Sequence, residues 1–330
     1  MSVKCRRLGR TELEISEIGF GCGPTAGLIM RATPEQRRQA VTRALDLGIT
    51  YFDTAPVYGD TLSEANLGQT LRELGVHPTV VTKVALEESD FDDLGGATVR
   101  SVEASLKRLG LSSVPLVQLH NRVGQKRAAR PDFGSGALLT VDDVLGPDGV
   151  VAALRLLRNR GLVRYFGCCA FGGEMAQVER LIDSAAFDSI LVNYSVINQT
   201  AWNPAATAPL PGRHYAGVAA RAAAAGMGTS VLRVLEGGAL SGTDLRHPLA
   251  GAAGPEYAAN LDRARALQPL LEPAKLTMAE AAIRFALSNS QVSTVLVGFS
   301  DVAQIEAAAE FAGKGALPAD LMARLRNLPN

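Results

Sequence analysis

The sequence predicts an α/β fold, a (β/α)8 or TIM barrel that occupies residues 1–330 as a single domain. Short β-branched runs alternate with longer segments of helical periodicity, and this alternation occurs eight times at a spacing of roughly 35 residues. No change in composition and no Ser/Gly-rich linker divides the chain. Both observations favour one closed barrel.

The predicted elements follow in chain order. Residues 4–17 are polar and carry turn residues at 9–11, which predicts a β-hairpin that plugs the barrel floor. Thr33 can cap the first helix, with Pro34 at its first position and Gln36 at the capping-box position. The predicted barrel strands are 15–21, 50–54, 79–84, 114–120, 163–169, 189–194, 228–234 and 292–297. The predicted helices are 33–47, 63–74 (opened by Ser63), 97–109 (ended by Gly110), 149–160, 174–184, 215–225, 258–271, 278–288, 302–313 and 319–328.

Residues 21–26 (GCGPTA) support a competing prediction. They fit the G-x-G-x-x-A pattern of a dinucleotide-binding turn, and Asp53 ends the next strand as a ribose-binding acid would. In that pattern the helix opens within the glycine run. Here the helix signals begin at Thr33, several residues too late, so the doubly wound sheet is the less favoured fold.

Composition excludes several classes of function. Hydrophobic residues make up 47% of the chain and charged residues 20%, which fits a globular protein. Lys plus Arg and Asp plus Glu each number 33, so the net charge is zero and no nucleic-acid or membrane partner is indicated. The N-terminus lacks an apolar signal region, and Arg221 and Arg233 interrupt the most apolar stretch. We therefore expect a cytoplasmic protein.

The cysteines and histidines do not predict a metal site. There is no CxxC motif and the four histidines lie far apart. Cys168 and Cys169 are neighbours that would strain to pair with each other. Cys5 and Cys22 could be joined, but reduced thiols are the favoured interpretation.

Ionisable residues follow three successive predicted strands at their C-terminal ends, where the active sites of such barrels lie. Asp53 ends the second strand and Tyr58 lies in its loop, while Lys83 and His120 end the third and fourth. Each alone has an ordinary explanation as a turn, packing or solvated residue. Together they predict acid–base chemistry, because a nearby ammonium lowers the pKa of a phenol, normally about 10. A histidine would supply a second donor to an oxygen that gains charge.

Around these residues the sequence resembles the aldo-keto reductase superfamily. The matching segments are 53–59 (DTAPVYG) with 63–64 (SE) just after, 82–83 (TK), 118–120 (QLH), 7–11 (RLGRT) and 18–21 (IGFG). The resemblance covers about residues 4 to 312 and implies NAD(P)H-dependent reduction of an aldehyde or ketone to an alcohol, or the reverse. It implies that Tyr58 is the proton donor, that Lys83 and Asp53 tune it, and that His120 orients the substrate oxygen.

The resemblance implies NADP(H) as the cofactor, with NAD(H) plausible, but the cofactor positions depart from the family pattern. Cys169 and Ala170 stand where relatives carry Ser-Asn, Leu191 stands near a usual Gln, and Leu232-Arg233 replaces an aromatic platform. Residues 298–304 contain no Lys or Arg for a 2′-phosphate. The expected cofactor-binding residues are Cys169, Leu232, Arg233, Gly237, Gly298, Phe299, Ser300 and Gln304.

Two long loops, 121–147 and 196–213, are predicted on the same rim, where long loops are often functional. We expect Trp202 to bind substrate, although it could simply anchor its own loop. The short C-terminal tail suggests an open site for a polar or sugar-like substrate. Three functions remain open: a carbonyl reductase, a sugar or alcohol dehydrogenase of the same superfamily, and a non-enzymatic nucleotide-binding barrel. The oligomeric state is not indicated.

Overall fold

Eight parallel strands close into a barrel in the computed structural model, which describes residues 2–129, 136–210, 212–242 and 256–328. Around the barrel the order is β10-β3-β4-β5-β6-β7-β8-β9, and β1 pairs antiparallel with β2. The strands are β1 (Cys5–Arg7), β2 (Glu14–Ser16), β3 (Ile18–Gly21), β4 (Tyr51–Asp53), β5 (Thr79–Val84), β6 (Val114–Leu119), β7 (Val163–Cys169), β8 (Ser189–Asn193), β9 (Gly228–Leu232) and β10 (Thr294–Gly298). The predicted barrel is confirmed, and the doubly wound alternative is wrong because the sheet has no free edge.

The described helices surround the barrel. They are α1 (Leu28–Arg31), α2 (Pro34–Asp46), α3 (Leu62–Leu74), α4 (Leu94–Leu109), α5 (Val141–Leu145), α6 (Val150–Asn159), α7 (Met175–Asp183), α8 (Val218–Ala224), α9 (Glu256–Leu271), α10 (Met278–Leu287), α11 (Val302–Gly313) and α12 (Ala319–Arg326). Single 3-10 turns cover Glu88–Asp90, Glu236–Gly238 and Glu272–Ala274. The short helices α1 and α5 are not predicted, because four or five residues carry no periodicity.

The helix boundaries show which sequence signals act locally. The capping box of α2 forms, since the Gln36 amide donates to the Thr33 hydroxyl and the Thr33 amide donates to Gln36 Oε1. Gly110 ends α4 with a φ of 69°. Ser63 does not cap α3: the helix begins one residue earlier, and the Ser63 hydroxyl donates to Cys22 O at 3.0 Å.

The hairpin closes the barrel floor. Leu8 and Ile15 are fully buried in the cluster of side chains inside the barrel. Gly9 has a φ of 53°, and a Cβ there would overlap the backbone nitrogen of Gly228, so only glycine fits this approach. The Arg6 guanidinium donates to the carbonyls of Val292 at 2.8 Å and Leu287 at 2.9 Å. These contacts tie the hairpin to the turns beneath the strands.

Several features that would indicate other functions are missing from the described ranges. No helix there is both long and apolar enough to cross a membrane. No three His, Cys, Asp or Glu side chains of those residues are grouped as metal ligands would be. All four cysteines lie within the described part of the chain and are free thiols; only Cys5 is exposed.

Candidate active site

Four side chains meet at the C-terminal ends of β4, β5 and β6. Lys83 Nζ donates to Asp53 Oδ1 at 2.5 Å and to Thr54 O at 2.8 Å. The same nitrogen lies 4.7 Å from the centre of the Tyr58 ring. The His120 ring meets Tyr58 edge-on, with 5.7 Å between ring centres. The structure therefore brings together all four residues predicted for acid–base chemistry, which we call the acid–base group.

A second set of buried contacts holds this group in place. Ser63, near the start of α3, shares a hydrogen bond of 2.8 Å with Thr54. Thr82 donates to Glu64 Oε1 at 2.5 Å, and Arg108 donates to Glu64 Oε2 at 2.6 Å. Glu64 is fully buried, so it joins α3, β5 and α4 beside the loop that carries Tyr58. The sequence predicts no role for Glu64, although Ser63-Glu64 belongs to the segments that resemble the family.

Burial sets the protonation state of Tyr58. Removal from water raises the pKa of this phenol to about 12, with a further rise from Asp53, while the Lys83 ammonium opposes both. The predicted effect of Lys83 therefore has the expected direction, but the net pKa lies above the ordinary value rather than below it. Burial alone would lower the pKa of Lys83, but Asp53 and Tyr58 raise it above its usual value. At neutral pH, Tyr58 is protonated and Lys83 is charged.

His120 is held as a neutral ring. Burial, and secondarily the charge of Lys83, lowers its pKa well below the ordinary value. Its ring lies between Tyr58 and Phe171, each 5.7 Å away between centres. Its Nδ1 and Asp53 Oδ2 are buried polar atoms without hydrogen-bond partners among the described residues. A neutral imidazole beside a phenol can orient a substrate oxygen without adding a second positive charge.

A cavity of about 520 Å³ opens beside Tyr58 and Asp53, between the ends of β3, β9 and β10. We call it the rim cavity. Seven of the eight residues expected to bind cofactor line it: Leu232, Arg233, Gly237, Gly298, Phe299, Ser300 and Gln304. Six glycines lie in its wall: Gly21, Gly23, Gly237, Gly238, Gly242 and Gly298.

The shape and polarity of the rim cavity fit a dinucleotide. Its volume lies within the range of small-molecule sites, roughly 300–1,000 Å³. A Cβ added to Gly23 would lie 3.7 Å from the Tyr58 ring, and one added to Gly298 would lie 3.1 Å from the Ala26 side chain. Any larger side chain would fill the cradle beside Tyr58. Ser300 and Gln304 flank the start of α11, where a helix N-terminus favours an anion.

Two predicted site residues lie elsewhere. Cys169 is buried inside the barrel, with its sulfur 4.0 Å from Gln118 Oε1, and it does not line the rim cavity. Trp202 donates from Nε1 to Gln291 Oε1 at 2.8 Å, and its ring lies 4.6 Å from that of Tyr194. Gln291 precedes β10, on the floor side of the barrel. Trp202 therefore holds its own loop against Gln291 and Tyr194 and does not line the rim cavity, and its contact with substrate stays a prediction.

A larger groove of about 740 Å³ lies outside the barrel, between the N-terminal ends of α4 and α6. It holds none of the acid–base group and carries acidic side chains such as Asp92 and Asp148. Size alone therefore does not locate the chemistry of this protein, whereas the charged and unpartnered buried groups beside the rim cavity do.

Comparison with known proteins agrees with this geometry. The family model described as "Aldo/keto reductase family" matches residues 17–329. The chain belongs to the aldo/keto reductase family. A solved aldo-keto reductase, AKR11C1 from Bacillus halodurans in its holo form, superposes with a TM-score of 0.72 and covers 99% of this chain and 97% of its own. At 23% identity, this likeness supports the barrel fold alone.

Relatives of this aldo/keto reductase carry different names. An L-galactose dehydrogenase from Arabidopsis thaliana is 28% identical and covers 92% of this chain and 86% of its own. A putative voltage-gated potassium channel subunit beta from Schizosaccharomyces pombe is 27% identical with the same two coverages. The family thus includes an oxidoreductase and a channel-associated protein among the matches.

Proposed function

We propose that this aldo/keto reductase is an NAD(P)H-dependent oxidoreductase that reduces an aldehyde or ketone to an alcohol, with Tyr58 as the general acid. One observation carries the proposal. A buried Lys83–Asp53 ion pair lies against the ring of Tyr58, which faces a glycine-rich cavity of about 520 Å³. A structural ion pair would have no need of a phenol and an open cavity beside it.

When bound, the reduced dinucleotide supplies a hydride to the carbonyl carbon of the substrate. The Tyr58 hydroxyl donates the proton that the carbonyl oxygen needs, and the resulting phenolate is stabilised by the Lys83 ammonium. Asp53 keeps Lys83 charged and in place. Neutral His120 orients the carbonyl oxygen beside Tyr58. The phenolate then regains its proton from solvent.

The cavity wall supports the choice of cofactor. The start of α11, with Ser300 and Gln304, is suited to the adenosine end, and residues 237–242 to the phosphates. NADP(H) is the family expectation and NAD(H) remains usable, because residues 298–304 include no basic side chain. Cys169 is not part of this proposal, since it does not line the cavity.

A sugar or alcohol dehydrogenase is the second candidate. The likeness to an L-galactose dehydrogenase favours it, and the acid–base group could run in reverse with the Tyr58 phenolate as base. Reduction is the direction that the family resemblance implies first for this acid–base group, and it stays the proposed direction. A non-enzymatic barrel is the third candidate, motivated by the potassium channel subunit among the relatives.

Turnover assays test these candidates together. The purified protein is assayed with NADPH and NADH on a panel of aldehydes and ketones, and with NADP and NAD on a panel of aldoses and simple alcohols. We expect turnover in the reductive panel. Faster turnover of aldoses with the oxidised dinucleotides would establish the dehydrogenase instead. Dinucleotide binding without turnover in either panel would contradict both enzymes and support the non-enzymatic barrel.

A further inference from the structure

An arginine faces the rim cavity at the turn after β9. Of the described residues that line the cavity, Arg233 alone carries a positive charge. It follows the last residue of β9, and its side chain is 33% exposed. The one described acid in the same wall, Asp53, is already paired with Lys83. Arg233 forms an ion pair with Glu236 of the same turn, and because its side chain is partly exposed it remains accessible to an anionic group that enters from solvent.

Two residues of this turn have strained backbone conformations. Arg233 has a φ of 58° and Glu236 a φ of 46°, both in the left-handed region that L residues rarely adopt. Gly237 follows with a φ of 67°. Such strain persists only where the surroundings hold it, and it is common at ligand sites.

A buried carboxylate holds the arginine. Glu236 Oε2 lies 3.8 Å from Arg233 Nε, and the Glu236 side chain is 6% exposed. The Ser195 hydroxyl donates to Glu236 Oε1 at 2.5 Å, and Asn260 Nδ2 donates to Oε2 at 3.3 Å. The loop after β8 and helix α9 thus both fix Glu236. An acid anchored on two sides can set the position of a flexible cation.

The outer end of the arginine lies over a glycine. A Cβ added to Gly237 would lie 3.8 Å from Arg233 Nη2. Because Gly237 has no side chain, the guanidinium can lie close to the backbone of the turn. Guanidinium groups present planar, paired donors that match the oxygens of a phosphate. The rest of the cavity wall near this turn is mostly glycine and aliphatic, with Leu232 and Val234 on either side of Arg233 and Ser241 as the further polar residue.

We propose that Arg233 binds a phosphate group of the dinucleotide and that Glu236 is its positioning residue. This inference rests on the proposed function, because it takes the rim cavity as the dinucleotide site. It assigns the strongest polar contact to a position where the family resemblance led us to expect an aromatic platform. An ion pair between Arg233 and a phosphate would then take the place of an aromatic side chain stacked on the cofactor.

Binding measurements without substrate test the role of Arg233. Dissociation constants for NADPH and NADH are measured by calorimetry for the wild type, Arg233→Gln, Arg233→Lys and Arg265→Gln. Arg265 is 68% exposed on α9 and serves as the matched control. We expect Arg233→Gln to weaken binding about tenfold, Arg233→Lys to retain much of the affinity because the charge remains, and the control to change nothing.

The two dinucleotides distinguish the phosphates. Equal losses for NADH and NADPH place the contact at the diphosphate that both carry, and a loss confined to NADPH places it at the 2′-phosphate. Unchanged constants for both in Arg233→Gln, with wild-type binding intact, would overturn this inference alone. Absence of dinucleotide binding by the wild type would overturn the proposed function and this inference with it.

Glu236→Gln separates positioning from charge. It keeps an acceptor for the Ser195 hydroxyl but removes the ion pair with Arg233. We expect Glu236→Gln to bind the dinucleotide more weakly than the wild type does. We also expect Arg233→Gln to reduce the dinucleotide affinity less in the Glu236→Gln background than in the wild type. Tighter binding by Glu236→Gln would show that the acid merely competes with the phosphate, and would overturn its positioning role.

Discussion

The acid–base group and the side of the rim cavity proposed to bind the dinucleotide are built differently. In the first, Lys83 and Asp53 are in contact at 2.5 Å and almost no water reaches them. In the second, the wall includes glycines, aliphatic side chains, the start of α11 and one partly exposed arginine. Charges in a dry site interact strongly and depend on each other, whereas many weak contacts tolerate replacement.

This difference explains where the chain keeps to the family pattern and where it departs from it. Asp53, Tyr58, Lys83 and His120 fill all four positions of the resemblance, and the structure brings them together. The cofactor positions carry other residue types, yet seven of the eight expected residues still line the cavity. Contacts made by backbone and by a helix end do not require a particular side chain.

The largest effect should come from Lys83→Met. It leaves Asp53 buried without its partner, and loss of one member of a buried ion pair costs about 3–5 kcal/mol of unfolding free energy. Denaturant unfolding measures this loss of unfolding free energy, with Lys107→Met, a substitution of an exposed lysine in α4, as the control. Equal stability of the two variants would mean that the Lys83–Asp53 pair contributes nothing to the fold.

The same variant should change the pH dependence of catalysis. The ammonium favours phenolate, so its removal raises the Tyr58 pKa further. Less phenolate is then present at any given pH, so the pH–rate profiles of alcohol oxidation and of carbonyl reduction should both shift to higher pH. Rates in both directions across pH measure this. Equal losses at every pH would show that Lys83 does not tune Tyr58.

Selectivity between dinucleotides should be weak. Ser300, Asp301 and Gln304 offer no cation to a 2′-phosphate, so NADH should bind within about tenfold of NADPH, a gap of roughly 1.4 kcal/mol. Gln304→Arg should increase the preference for NADPH, because Gln304 lines the cavity at the start of α11. A wild-type preference above about a hundredfold would place a cation from elsewhere at the 2′-phosphate.

The smallest effect on catalysis should come from Trp202→Ala. Its ring packs on Tyr194 and its Nε1 donates to Gln291, both away from the rim cavity. We expect an unchanged KM on several substrates and a loss of about 2 kcal/mol of unfolding free energy. Trp202→Phe, which keeps a ring there, should recover part of that stability. An altered substrate preference in Trp202→Ala would instead show that Trp202 contacts the substrate.

The sequence predicts the features that depend on residues close together in the chain, and it misses those that depend on residues far apart. The barrel, the hairpin and the capping box of α2 depend on local patterns and are predicted. The position of Trp202 depends on a partner 89 residues away, and no local pattern reports it. The net pKa of Tyr58 depends on its burial, which exceeds the opposing effect of Lys83. The contact of Glu64 with Thr82 and Arg108 joins three separate elements and is equally invisible in the sequence.

Tyr58→Phe tests most directly the claim that chemistry and dinucleotide binding are separate. The dissociation constant of the dinucleotide and the single-turnover rate at saturating dinucleotide are measured for wild type and variant, with Tyr165→Phe at the barrel floor as control. The account predicts a rate lowered by roughly 10²–10⁴-fold, because only the transferable proton is removed, with the dissociation constant unchanged. A variant that retains more than about half of the wild-type rate would contradict the role of Tyr58 as the general acid.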